Sequence, residues 1–210
     1  MRKSISAHLG STYSLKHNIR EIMCANVDAS RSKNNDYFVK SNHKGTDGYR
    51  FATIEEIYNK VFEPSWREFQ AKQRPCRRYN GTYLEWLREQ KFKARTKATD
   101  VRYKDKAINE AYEVVFQIGN IDDTGYENAP DDAKKSENIM REVTEHILSK
   151  PYICVITEKE LNDPNWKPPK EACLIALNCC LHKDESVCGL HFTFIPCANS
   201  NRGSKKQALL

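Results

Sequence analysis

No stretch of this 210-residue sequence approaches the roughly 20 consecutive apolar residues that a membrane-spanning helix needs. A secretory leader is not legible either. The opening Met1-Arg-Lys is basic, but Ser4, Ser6 and His8 interrupt the continuous apolar segment that a leader requires. No internal repeat is present. The eight cysteines lack the regular spacing of a disulfide framework, and two of them, Cys179 and Cys180, are adjacent inside an apolar run. Together these absences predict a soluble cytoplasmic protein whose thiols are reduced.

The content that is present, 39% hydrophobic and 30% charged, allows one sizeable core and is short for two. The expected organisation is one domain over residues 1–204, with 205–210 opening a helical region. The formal net charge of +6 is uneven, because residues 67–106 carry thirteen Lys/Arg against five Asp/Glu. Arg77, Arg78 and Lys91 lie there beside Tyr79, Tyr83, Trp86 and Phe92, a mixture that can neutralise phosphates and stack on bases. The plainer reading of the same segment is a solvated helix face.

Period-2 alternation over Lys3–Leu9 predicts a first strand. From Ser14, Leu15, Ile19, Ile22 and Met23 recur at helical spacing and would place His17, Arg20 and Glu21 on the opposite face. A loop spans about 25 to 49. Helices are expected over 53–73, broken near Pro64, and over 83–97, 107–113 and 133–148. Strands are expected at 114–118 and 152–157, then a hairpin of Leu174–Leu181 and Leu190–Pro196. The tally predicts an α+β fold, an antiparallel sheet covered by helices on one face.

The hairpin carries the densest chemistry. Alternation puts Asn178, Cys180 and His182 on one face of its first strand, and His191, Thr193 and Ile195 on one face of the second. If the faces coincide, two imidazoles meet at the hairpin mouth, with Asp184 and Glu185 in the link. Such mixed nitrogen and oxygen donors suit Mg²⁺, Mn²⁺ or Zn²⁺. Either histidine alone would more often be structural.

His182-x-Asp184-Glu185, followed by Leu-His191-Phe and Phe-Ile-Pro196, resembles the HxDExxPHxHFxFIP signature of the Mob/Pre plasmid recombination enzymes, mobilisation relaxases of the HUH type. Lys16-His17-Asn18-Ile-Arg20, then Ser30-Arg31-Ser32 and Asn35, is similar to that family's KHNxR, SRS and Asn elements. Val115-Phe-Gln-Ile-Gly119 with Asp123-Thr124-Gly125 looks like the segment that precedes its metal motif. The resemblance implies an HUH relaxase-like fold and a plasmid mobilisation protein that nicks and rejoins one DNA strand at a transfer origin. It implies His17 as nucleophile, forming a covalent link to the 5′ phosphate, with Arg20 and Glu185 assisting. It further implies a Mn²⁺ or Mg²⁺ held by His182, Glu185 and His191, and homodimerisation through a further C-terminal region; DNA contacts are expected from Arg31 and, on the charge of the basic segment, from Arg77, Arg78 and Lys91. Tyr13 is the alternative nucleophile.

Two positions depart from the signature. Its middle histidine is Gly189 here, so one imidazole is missing, and Asp184, Glu185 or Cys188 would have to complete the ligand set. An aspartate common after the last His-Phe is Thr193. Three readings therefore stand side by side: an active relaxase, a DNA-binding protein without turnover, and a small zinc-stabilised module using Cys180, His182, Cys188, His191 and Cys197. The first and second both require His17 to converge on His182 and His191, more than 160 positions later.

Overall fold

A computed structural model describes residues 4–10, 14–39, 52–97, 109–168, 171–199 and 205–207. Its centre is the predicted hairpin, β5 (Cys173–His182) and β6 (Gly189–Asn199). The sheet is built around it from β1 (Ile5–Gly10), β2 (Asp36–Tyr37), β3 (Tyr112–Ile118), β4 (Ile153–Val155) and β7 (Lys205–Gln207), in the order β1-β3-β6-β5-β2. Short β4 and β2 share the outer edge of β5, at Leu174–Ala176 and at Cys180–Leu181 respectively. Because β4 runs parallel to β5, the sheet is mixed rather than wholly antiparallel.

The helices are α1 (Leu15–Asn18), α2 (Ile54–Val61), α3 (Glu63–Ala71), α4 (Tyr83–Lys97), α5 (Ile121–Thr124), α6 (Pro130–Leu148) and α7 (Glu158–Asn162), with 3₁₀ turns at Ala29–Asn34 and Pro75–Arg77. Helix α2 opens on a capping box, Thr53 with Glu56, and buries Ile54, Ile57, Tyr58 and Val61 at i, i+3, i+4 and i+7. It ends where Pro64 starts α3, because a proline at N1 or N2 loses no helical hydrogen bond. Phe62, Trp66, Tyr83 and Leu87 complete that layer against Ile175, Leu177, Ile195 and Cys197 of the sheet.

Helices cover both faces, which corrects the one-face expectation. A second core sets Met140, Ile147 and Leu148 of α6 against Ala176, Cys179, Leu181, Leu190, Phe192 and Phe194. Both faces of β5 are apolar over most of its length, and a strand of that composition needs cover on each side. A bulge at Leu177, where Ala176 pairs with Phe194 and Asn178 with Thr193, shifts the alternation. In consequence Ile175, Asn178, Cys180 and His182 share a face. Half of that face is apolar and lies under α2–α4; the other half is polar.

Three further expectations fail locally. In place of the helix expected up to 113, Tyr112 and Glu113 already belong to strand β3. The helix from Ser14 stops at Asn18, since Arg20 adopts φ 60°, and Ile22 and Met23 are left about half exposed. Lys205–Gln207 is a strand, not the start of a helix: β3 pairs only as far as Phe194, which leaves Cys197–Asn199 free to take a partner. Residues 98–106 of the basic segment and Tyr13 lie outside the described residues. No helix among the described residues is long and apolar enough to cross a membrane.

Candidate metal centre

His17, His182, Glu185 and His191 present ligand atoms that all lie within 4.8 Å of one another. Convergence of the early and late segments is therefore realised. Strand register does half of it: β6 pairs antiparallel with β5, setting Gly189 opposite His182 and His191 opposite Cys180 on the same side. Helix α1 docks over that polar half through Asn18, which is fully buried.

Each sheet imidazole is oriented by a buried partner. His182 Nε2 lies 3.0 Å from the Asn18 carbonyl, an acceptor only, so this nitrogen carries the hydrogen and Nδ1 turns toward the cluster. His191 Nδ1 is 3.4 Å from Glu113 Oε1, and its Nε2 faces the space above Gly189. Glu113 also accepts from Asn18 Nδ2 at 2.7 Å and Thr193 Oγ1 at 3.3 Å. Burial opposes its charge, but the bonds from His191 and Asn18 outweigh that and lower its pKa. A carboxylate behind a ligating histidine fixes the ring and raises its basicity.

Sequence reasoning missed Glu113. It stands directly across from Thr193 on the neighbouring strand, so it supplies a carboxylate where β6 has only a hydroxyl. The available signal was a lone acid in the otherwise uncharged run Tyr112–Ile118.

A cation fits this donor set. With hydrogen on Nε2, the His182 Nδ1 lone pair faces Glu185 Oε1 at 3.1 Å, and two acceptors at that distance require positive charge between them. Burial lowers the His182 pKa and so works against a second proton on the ring. His17 Nε2 is 3.3 Å from the same Glu185 oxygen. Atoms bound to one ion at about 2.0–2.2 Å sit about 3–3.5 Å apart, as these two contacts do, while the whole set spreads to within 4.8 Å.

His17 is held differently. Its side chain is 17% exposed against 0% for His182. Its ring is touched by Arg20 Nη1, within 3.4 Å of both nitrogens, and by Cys24 Sγ at 3.3 Å from Nδ1. Burial, then the Arg20 charge, lowers its pKa and keeps the imidazole neutral at pH 7.

Arg20 is the clamp of the site. Its guanidinium, 6% exposed, bonds both oxygens of Asp184, Glu185 Oε1 at 3.0 Å and the His17 carbonyl at 3.1 Å. Asp184 is fully buried and also accepts from Ser32 Oγ at 2.6 Å and Asn35 Nδ2 at 2.8 Å. Burial disfavours its charge, yet these donors, Arg20 first, pull its pKa down to about 2. Glu185 is likewise brought to about 2 against its burial, by His182 and then Arg20. The left-handed Arg20 backbone costs roughly 1–2 kcal/mol, which this paired network must outweigh.

Asp184 is thus occupied as an anchor and does not join the ligand cluster. Cys188 does not either: it is one residue from Gly189, points to the opposite face, packs in the α6 core, and burial pushes its thiol up to about 12. Cys197 packs in the α2–α4 core. These placements disperse the cysteine set of the zinc-module reading. At Gly189 an added Cβ would lie 3.6 Å from both Glu185 Oε2 and His191 Nε2, so the position opens directly onto the cluster.

The basic segment is divided. Tyr83 is buried and stacks with Trp86, while Tyr79 packs against the same core, so those rings serve the fold; Phe92 is exposed. Arg78 donates to the carbonyls of Gln73 and Ala71 at the end of α3, and Arg77 is exposed. Lys91 is half-buried on α4. Arg31 lies beside the His/Glu cluster, its guanidinium 3.5 Å over the Tyr126 ring. No family model, no curated protein and no solved structure matches this chain.

Proposed function

We propose that this chain binds plasmid DNA and nicks and rejoins one strand through a covalent histidine–phosphate link, in the manner of the mobilisation relaxases its motifs resemble. The observation that carries the reading is the unequal anchoring of the three imidazoles. His182 and His191 are fixed from behind by Asn18 and Glu113, as ligands need to be, whereas His17 sits on the more open side with Arg20 and Cys24 against it and its Nε2 turned to Glu185.

His182, His191 and Glu185 would hold the ion, for which Mn²⁺ fits an imidazole-rich set better than Mg²⁺ does. Once bound, a divalent cation would offset charge that develops on the phosphoryl oxygens. The neutral His17 ring has a lone pair at Nε2 for attack on the scissile phosphorus. A P–N bond forms there, the P–O3′ bond breaks, the Nδ1 hydrogen of the ring passes to solvent, and the leaving 3′ oxygen is protonated by solvent. Attack of that 3′ hydroxyl on the phosphoramidate reverses the step and rejoins the strand. Burial, and after it the Arg20 charge, keeps the ring unprotonated, and Arg20 also bonds the His17 carbonyl.

Supercoiled plasmid carrying its transfer origin, incubated with Mn²⁺, tests the reading. Relaxed plasmid with protein attached at the 5′ end is expected, and His17→Ala should abolish the adduct while leaving DNA binding largely intact. An adduct that survives in this variant would remove His17 from the role. The open position at Gly189 favours a second reading, a DNA-binding relative without turnover; binding with no adduct under any divalent ion would select it.

A further inference from the structure

A cavity of about 240 Å³ adjoins the metal cluster and shares Glu185 with it as a wall. Three loops form it, and backbone pairing ties them together. Val27 bridges to Glu185 and Gly125 to Val187, while Asp28 N donates to Asp184 O at 2.7 Å and Tyr126 N to Ser186 O at 3.2 Å. Gly125 is required there, since a Cβ would fall 2.1 Å from the Ile121 carbonyl oxygen. The volume is below the roughly 300–1,000 Å³ of pockets for drug-sized molecules and suits a single heterocycle.

The lining is planar and acceptor-rich. Arg31 is stacked on Tyr126, whose hydroxyl donates to Glu137 at 2.6 Å and holds the ring in place. One face of the Arg31 guanidinium lies on Tyr126, which leaves the other for a further flat group. Around it stand Asp28, Glu127, Asp184 and Glu185. With Asp184 and Glu185 already paired to Arg20, Asp28 and Glu127 against the single Arg31 disfavour a phosphate. Asp184 is saturated by Arg20, Ser32 and Asn35, and Asp28 Oδ1 by the Ser30 amide and hydroxyl. Asp28 Oδ2 and the exposed Glu127 are left as acceptors.

We propose that this cavity takes one nucleobase of the bound strand and prefers guanine, an inference that rests on the DNA-nicking reading above. Guanine alone offers two adjacent donors, N1–H and the 2-amino group, that the two oxygens of Glu127 can accept side by side, with Asp28 Oδ2 as a further single acceptor. Adenine and cytosine place an acceptor nitrogen beside their amino group, and thymine flanks its one N–H with carbonyls. Stacking on Arg31 holds the ring; the carboxylates choose it.

The test is fluorescence anisotropy at fixed salt with labelled oligothymidine, alone or with one central residue changed to guanine, adenine or cytosine. The full chain should bind the guanine oligomer about ten-fold more tightly than oligothymidine. In Asp28→Asn/Glu127→Gln that preference should vanish while oligothymidine affinity is kept, because the asparagine replacing Asp28 still offers its side-chain oxygen to Ser30. Binding without base preference, or a preference surviving in the double variant, overturns the cavity assignment and leaves the nicking reading standing. No binding of any oligomer overturns both.

Discussion

Replacing Asp184 by asparagine should destabilise the fold by about 3 kcal/mol at pH 7, and by much less in acid. A buried carboxyl held at about 2 instead of its usual 3.8 contributes roughly 2.5 kcal/mol at neutral pH. Asparagine keeps one acceptor oxygen but turns an amide toward donors that the second oxygen had satisfied. An unpaired buried donor adds about 1–3 kcal/mol, within the ceiling of about 3–5 kcal/mol for breaking a buried ion pair. Because the folded pKa is depressed, the contribution is complete above pH 3.8 and is lost as pH falls through about 2. By pH 2.5 the difference between the two proteins should shrink by about 1.5 kcal/mol. Urea unfolding at pH 7, 4 and 2.5, extrapolated to water, measures it. A difference under about 1 kcal/mol at pH 7, or one that does not change with pH, would refute the network as drawn.

Three other outcomes follow from the same geometry. Glu113→Gln should weaken Mn²⁺ binding about 10- to 100-fold by calorimetric titration, since it loosens His191 from behind; unchanged affinity would make Glu113 a structural residue only. Gly189→His should strengthen Mn²⁺ binding about ten-fold, because its Cβ meets no atom closer than 3.6 Å and its ring would enter the cluster; weaker binding would mean the position does not face the ion. Mn²⁺ affinity should fall as the solution is acidified below pH 6.5, where protons compete for the His182 ring that burial holds below its usual value. An affinity that does not fall between pH 6.5 and 5 would remove His182 from the ligand set.

The hairpin was legible because period-2 alternation and a charged link survive in one short stretch, and β5 and β6 extend the expected strands by one to three residues. Helix α4 was equally plain, matching at both ends. What alternation could not show is the bulge at Leu177, which depends on the pairing of Asn178 with Thr193 and decides which side chains lie beside Ile175. The face of β5 against α6 was also hidden, since a strand apolar on both sides reads like one apolar on a single side. At the site, His17, His182, Glu185 and His191 were readable as motifs, but Glu113 acquires a role only through its position across from Thr193. Arg20 was placed correctly beside His17 for the wrong reason. A left-handed turn after α1, not another turn of helix, brings its guanidinium to Asp184. The cavity beside Glu185 arises from three loops that meet only in the folded chain, and no local pattern marks it.

Pulsed electron paramagnetic resonance of the Mn²⁺-loaded protein tests most directly whether the two hairpin histidines, His182 and His191, hold one ion beside His17. One Mn²⁺ per chain is predicted, with imidazole nitrogen couplings that diminish in both His182→Ala and His191→Ala. A spectrum of the hydrated ion without nitrogen coupling would contradict the account.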